Sequence, residues 1–218
     1  MQHDGVGSLA TGVAIAALAA FTQAPSAQIV LRPAVVWTID NLQSIGGHAV
    51  AVLGSPRVVT TPHGPAMEFN GESDGLLVET NPIAGARAFR IEVDLAPAAG
   101  GPPEQRFLHI QQADADNRAL LELRMLTPGS WCLDTFLRFG PPGLALIDRA
   151  RAHRAGEWHT VALSYDGETM AHEVDGVREL SGAVAFGPMG AGRTSIGVRQ
   201  NRVSWFKGMI REVRIRTW

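Results

Sequence analysis

The chain has 218 residues, 45% of them hydrophobic, with 24 Gly, 13 Pro and a formal net charge of −2. That length is enough to bury one sizeable core, and charges spread without a polybasic run leave no footprint for nucleic acid or an anionic membrane. Cys132 is the only cysteine, which excludes an intrachain disulfide and a cysteine-based zinc site.

In chain order, the first distinct stretch is residues 9–21, LATGVAIAALAAF, an uncharged run followed by the small residues TQAPSAQ. It resembles the apolar region and cleavage zone of a secretory signal peptide, and it is too short and too rich in Gly and Ala for a membrane span. No Lys or Arg precedes Arg32, so the usual basic start is missing, and a misplaced start codon or an unstructured tail is the competing reading. The expectation is a secreted or periplasmic protein with residues 1–27 as leader and residues 28–218 as one mature domain. That mature chain would have no stable membrane span.

After residue 30 the chain breaks into short apolar runs fenced by Gly, Pro, Asn and Asp, the pattern of an all-β domain. Strands are expected around 48–54, 66–70, 75–79, 88–96, 105–112, 118–126, 131–139, 157–166, 169–175, 194–199 and 208–216. Residues 144–156, LALIDRARAHRAG, are rich in helix formers and read either as a helix or as a strand followed by a loop. Asp166–Gly167 and Asp175–Gly176 stand between alternating runs, where a hairpin needs residues tolerant of positive φ. The Pro-rich stretch 96–105 reads as a surface loop.

The segment GEWHTVALSYDGETMAHEVDG, Gly156 to Gly176, combines Gly-Glu-Trp-His, an alternating strand, Tyr165-Asp166-Gly167 and a closing Val-Asp-Gly. This order resembles the signature of laminin G-like, concanavalin A-like jelly-roll domains. Residues 64–78, 88–97 and 195–216 extend the resemblance, with Phe206, Gly208 and Val213 on pattern positions, so that it covers roughly 45–216. It implies an all-β sandwich of two antiparallel sheets with a concave face that often binds carbohydrate. It implies little about chemistry, because lectins, adhesion modules, glycosidases and lyases share the fold. Many relatives carry an acidic residue in the last strand that helps to hold calcium; Arg211 stands there instead. Glu212 and Asp74 do not by themselves supply the oxygens calcium needs, and no cofactor is expected.

Paired carboxylates are the first candidate for chemistry. Glu92 and Asp94 are two apart and face the same way on a strand, but Pro97 stands where the Glu-x-Asp-x-(x)-Glu pattern of related glycosidases would need its last acid. His159 and His172 look like a pair, yet no further ligand lies at metal spacing. Related lyases use Gln-x-His with a later Tyr; here His109 precedes Gln111, and Tyr165, the sole Tyr, falls at a turn.

Strand parity gives a more informative surface. Leu108 and Ile110 would share one face and leave Phe107, His109 and Gln111 on the other. By the same rule Glu122 and Arg124 oppose Leu121, Leu123 and Met125, and Asp134, Phe136 and Arg138 oppose Trp131, Leu133 and Leu137. If the three strands are neighbours, one face displays His, Gln, Glu, Arg and Asp among two Phe. Such groups read sugar hydroxyls and cover sugar rings, although a solvated face with cross-strand ion pairs has the same composition. Trp205, beside the polar loop Arg199–Arg202, is a further stacking candidate. The expected function is glycan or glycoconjugate binding by His109, Gln111, Glu122, Arg124, Asp134, Arg138 and Trp205. The alternatives are a lyase or hydrolase on an acidic glycan, with His109 as base and Arg124 holding the acid, and a protein-interaction module with a flat apolar patch.

Overall fold

A computed structural model describes residues 1–2 and 34–218. The apolar run at 9–21 and the expected cleavage zone near Ala27 lie outside the described residues. The described residues form 17 strands and no helix, paired antiparallel in two sheets, the all-β class read from the alternating pattern and the jelly-roll sandwich implied by the resemblance. Among them no helix is long and apolar enough to cross a membrane.

The first sheet contains β1 (Val35–Thr38), β4 (Arg57–Thr61), β5 (Gly64–Asn70), β7 (Phe89–Pro97), β13 (His159–Tyr165), β14 (Thr169–Val174), β15 (Val177–Ala183) and β17 (Lys207–Thr217). Its order is β15-β14-β13-β7-β17-β5-β4, with β1 on the second half of β17. The second sheet contains β2 (Ser44–Ile45), β3 (His48–Leu53), β6 (Gly75–Val78), β8 (Glu104–Gln112), β9 (Arg118–Thr127), β10 (Ser130–Arg138), β11 (Leu144–Ile147), β12 (His153–Arg154) and β16 (Gly192–Ile196). It runs β11-β10-β9-β8-β16-β6-β3-β2, with β12 on the start of β10.

Period-two alternation places the core between the sheets. Phe89, Ile91, Val93 and Leu95 of β7 are fully buried, while Arg90, Glu92 and Asp94 point outward, Arg90 pairing with Glu92 and both carboxylates meeting Arg214 of β17. Phe206 packs edge-on against Phe69 and Phe107, each 6.1 Å away; burying such a ring contributes on the order of 2–3 kcal/mol. The hairpin joining β14 and β15 turns through Asp175 at φ 52° and Gly176 at φ 77°, the pair of left-handed residues that a tight two-residue turn requires.

Of the two readings open for residues 144–156 the strand holds, and the expected facing of Phe107 needs correction. Residues 144–156 hold no helix: β11 and β12 both add to β10, and Leu144 and Leu146 pack over Gly182 of β15, where an added Cβ would lie 2.9 Å from Leu144. Sheet pairing plus burial of two leucines outweighs a helix propensity of tenths of a kcal/mol per residue. Phe107, placed on the polar face by strict alternation, is buried in the core beside Leu108. A bulge between Arg106 and Leu108 inserts an extra residue, so the alternation changes phase there and Arg106 faces outward in place of Phe107.

Gly46 has no tolerated substitute. Its φ is +59° and a Cβ would lie 2.1 Å from Trp37 Nε1, so the turn between β2 and β3 closes directly on the indole. Gly46→Ala is expected to cost at least about 2 kcal/mol, read as a lowered denaturation midpoint at unchanged m-value.

Candidate functional site

The outer face of the second sheet carries the polar surface, in rows set by strand register. Arg106, Glu122 and Asp134 align across β8, β9 and β10, flanked on one side by Glu104, Arg124 and Cys132. On the other side lie His109, Leu120, Phe136 and Ala145, and then Gln111, Arg118 and Arg138. A depression of about 200 Å³ opens here, lined among others by Leu120, Glu122, Arg124, Asp134, Phe136 and Arg199.

Arg124 is the hub. Its Nε donates to Asp134 Oδ2 at 2.7 Å, its Nη1 donates to Glu104, and its Nη2 lies 3.6 Å from Glu122 Oε2. Arg106 donates to Glu104 and, at 2.5 Å, to Ser204 Oγ. Arg106 Nε lies 3.0 Å from Glu122 Oε2 but its hydrogen is not directed at an acceptor. Arg118 pairs with Asp116 and sits 5.0 Å from the Phe136 ring centroid, a cation–π arrangement. Arg138 also pairs with Asp116, at 2.9 Å. Arg199 lines the depression without a carboxylate partner among the described residues.

Burial dominates the electrostatics. Glu122 is only 3% exposed; desolvation and the nearby Asp134 push it up to about 8, against the pull of Arg199 and Arg118. Asp134 is raised by burial while its bond to Arg124 opposes the rise. His109 is driven down to about 3, first by burial and then by Arg199 and Arg118. Its Nδ1 accepts the backbone N–H of Gln200 at 3.1 Å, which leaves the proton of the neutral ring on Nε2, where it has no partner. With its lone pair occupied and 1% exposure, His109 has no free basic nitrogen facing the depression.

The residues singled out by parity are thus distributed unequally. Glu122, Arg124 and Asp134 meet in the depression. Arg138, paired with Asp116, and Gln111, beside Arg193 of β16, lie two rows away from Glu122 and do not line the depression, and His109 is roofed by Gln200. Trp205 is half-buried between Ser204 and the core residue Phe206 and does not line the depression. Sequence reasoning missed Arg106, which the bulge hides, and Arg118 and Leu120, whose even spacing from Glu122 would have found them.

The other candidates are engaged elsewhere. Glu92 and Asp94 both bind Arg214, at 3.3 and 3.0 Å, and Arg211 donates to Asp94, so that the arginine in place of the relatives' acidic residue closes an ion-pair ladder. Asp74 accepts backbone N–H groups of Ser55 and Asn70 at 2.8 and 3.1 Å. His172 Nδ1 meets Thr135 Oγ1 at 2.9 Å between the sheets, and His159 Nδ1 meets Asp175 at 2.8 Å. Among the described residues no group of three or more His, Cys, Asp or Glu is placed to hold a metal ion.

A family model described as the concanavalin A-like lectin/glucanases superfamily matches residues 70–217. No curated protein matches the chain in sequence. Among solved structures, domain 4 of AbnA, an extracellular GH43 arabinanase from Geobacillus stearothermophilus determined in complex with arabinotriose, superposes with a TM-score of 0.57 at 16% identity, covering 84% of this chain and 91% of that one. The enzymatically active domain of bacteriophage CBA120 tailspike protein 2 gives 0.61 at 15% identity, over 82% of this chain and 29% of that one. The heptameric SAP-like pentraxin from Limulus polyphemus gives 0.55 at 13% identity, over 68% and 73%. At these identities the likeness is one of fold.

Proposed function

From the premise that the chain belongs to the concanavalin A-like lectin/glucanase superfamily, we propose that it is an exported protein that binds a glycan or glycoconjugate in the depression over β9 and β10. The observation that carries this reading is the meeting of the Arg124–Asp134 pair with the apolar patch of Leu120, Phe136 and Ala145 in one small hollow. A sugar presents hydroxyls at its edge and C–H groups on its ring face, and such a site offers a partner to each. The arabinotriose held by the AbnA domain supports a saccharide as the ligand class.

Arg199 narrows that class. Arg106, Arg118 and Arg124 are each paired with a carboxylate, whereas Arg199 has none among the described residues, and burial pushes Glu122 toward its neutral form. The hollow therefore favours a sugar bearing a carboxylate, with Arg199 as its partner.

The test is a glycan array probed with the full chain, with and without added calcium, followed by product analysis on each hit. Binding to uronate-bearing glycans without turnover supports the reading. Arg199→Ala is expected to weaken that binding about tenfold or more, the worth of one charged hydrogen bond, and to leave binding to neutral glycans unchanged. Silence on every glycan would remove the carbohydrate reading and favour a protein partner.

A further inference from the structure

A cavity larger than that depression lies on the outer face of the first sheet, at the end where β4, β5, β17 and β7 run side by side. It has a volume of about 630 Å³, within the range of roughly 300–1,000 Å³ typical of small-molecule sites. Backbone and small side chains make its floor. Ala96 lies near the end of β7 and Ala98 just beyond it, and Gly208, at φ +143°, faces them so closely that a Cβ would lie 2.4 Å from Ala96 O. Met209, aligned between Glu68 and Ala96, adds an apolar wall.

The charged groups around this floor are engaged except one. Arg57 and Glu68 neutralise each other at 2.5 Å. Asp74 accepts two backbone N–H groups, and Asn70 Oδ1 accepts those of Glu72, Ser73 and Asp74. Lys207, the sole lysine of the chain, lines the cavity with no carboxylate within ion-pair distance among the described residues. Its stem packs against Gly71, at φ +80°, where a Cβ would lie 2.8 Å from Lys207 Cβ.

We propose that this cavity is a second binding site, for a small organic carboxylate whose anionic group pairs with Lys207 and whose apolar body covers Ala96, Ala98 and Met209. One unspent cation beside an otherwise neutralised and apolar hollow is complementary to one negative charge on an apolar frame. The site rests on no residue of the depression in the second sheet and stands independently of the glycan reading.

The probes are benzoate and its uncharged analogue benzamide, titrated into the full chain and followed by backbone amide shifts. Benzoate is expected to shift the amides of Ala98, Lys207 and Gly208 saturably, and benzamide to bind at least about tenfold more weakly. Lys207→Gln should reduce benzoate to the level of benzamide without changing the thermal midpoint, while Ala98→Leu, which fills the floor, should remove both. Arg199→Ala should change neither. The proposal is overturned if benzoate produces no saturable shift at these residues up to its solubility limit. It is equally overturned if Lys207→Gln binds benzoate as the wild type does, or if the shifts fall only around Arg124 and Asp134.

Discussion

The unfolding free energy of the protein is expected to peak near pH 6.5 and to fall on both sides, because its buried titratable groups oppose each other. Glu122 keeps its proton up to about 8 against an ordinary value of 4.5. Between those values the native chain holds a proton that the unfolded chain releases, so stability falls as pH rises through that window. His109 and His172, at about 3 and about 4 against an ordinary 6.5, stay neutral where the unfolded chain takes up protons. Their contribution is complete above 6.5 and is lost as pH falls.

Between 6.5 and 4.5, two protons gained on unfolding outweigh the one released by Glu122. The net of about one proton corresponds to roughly 1.4 kcal/mol per pH unit. Asp134, also raised, softens this slope at its lower end. Asp94 and Glu173 are held low, Glu173 by Arg90 and Asp94 by Arg214 and Thr160 against its own desolvation, and both steepen the loss at lower pH. Denaturant titrations at closely spaced pH should show Glu122→Gln abolishing the decline above pH 6.5 and His172→Gln flattening the acid limb by about one proton. A wild type that is flat between pH 6.5 and 8 would mean that Glu122 is ionised in the folded protein.

Arg124→Ala is the substitution expected to damage the site most. It strips Asp134, 4% exposed, of its direct partner and leaves Glu104 with Arg106 alone. Removing one member of a buried pair typically costs about 3–5 kcal/mol; with Arg124 itself 21% exposed, about 2–4 kcal/mol is expected. Replacing both partners, Arg124→Met with Asp134→Leu, removes the stranded charge and should recover most of that loss. Glycan binding should be weakened at least about tenfold in the single and the double variant alike. The double variant is therefore the discriminating one: a stable protein that no longer binds identifies the pair as part of the recognition surface, and a stable protein that binds fully shows that it serves the fold.

How much of this was legible in the sequence depended on whether a residue left a mark in the period-two pattern. The hairpin from His159 to Val174 could be read because Asp166–Gly167 interrupts two clean alternations, and the register of β13 on β14 follows that turn. The meeting of Glu122, Arg124 and Asp134 could be read because β9 and β10 alternate without interruption through those residues. Arg106 could not, since a bulge changes the phase of a strand without altering its composition. Nor could the edge strands β1, β4 and β15, which have many exposed positions and little alternation. The roof that Gln200 places over His109 depends on a contact between residues 91 apart, which no local pattern encodes.

The bulge in β8 also bears on how such a surface could persist. If all nine residues of β8 alternated strictly back from His109, Glu104 and Arg106 would turn into the core and Gln105 would lie outside. The bulge prevents that inversion by leaving Phe107 as the one unpaired residue, so that the acid and the arginine keep the facing they would have in a strand one residue shorter. Sandwiches of this kind can therefore absorb a one-residue insertion along a strand while keeping a recognition surface upstream of it intact.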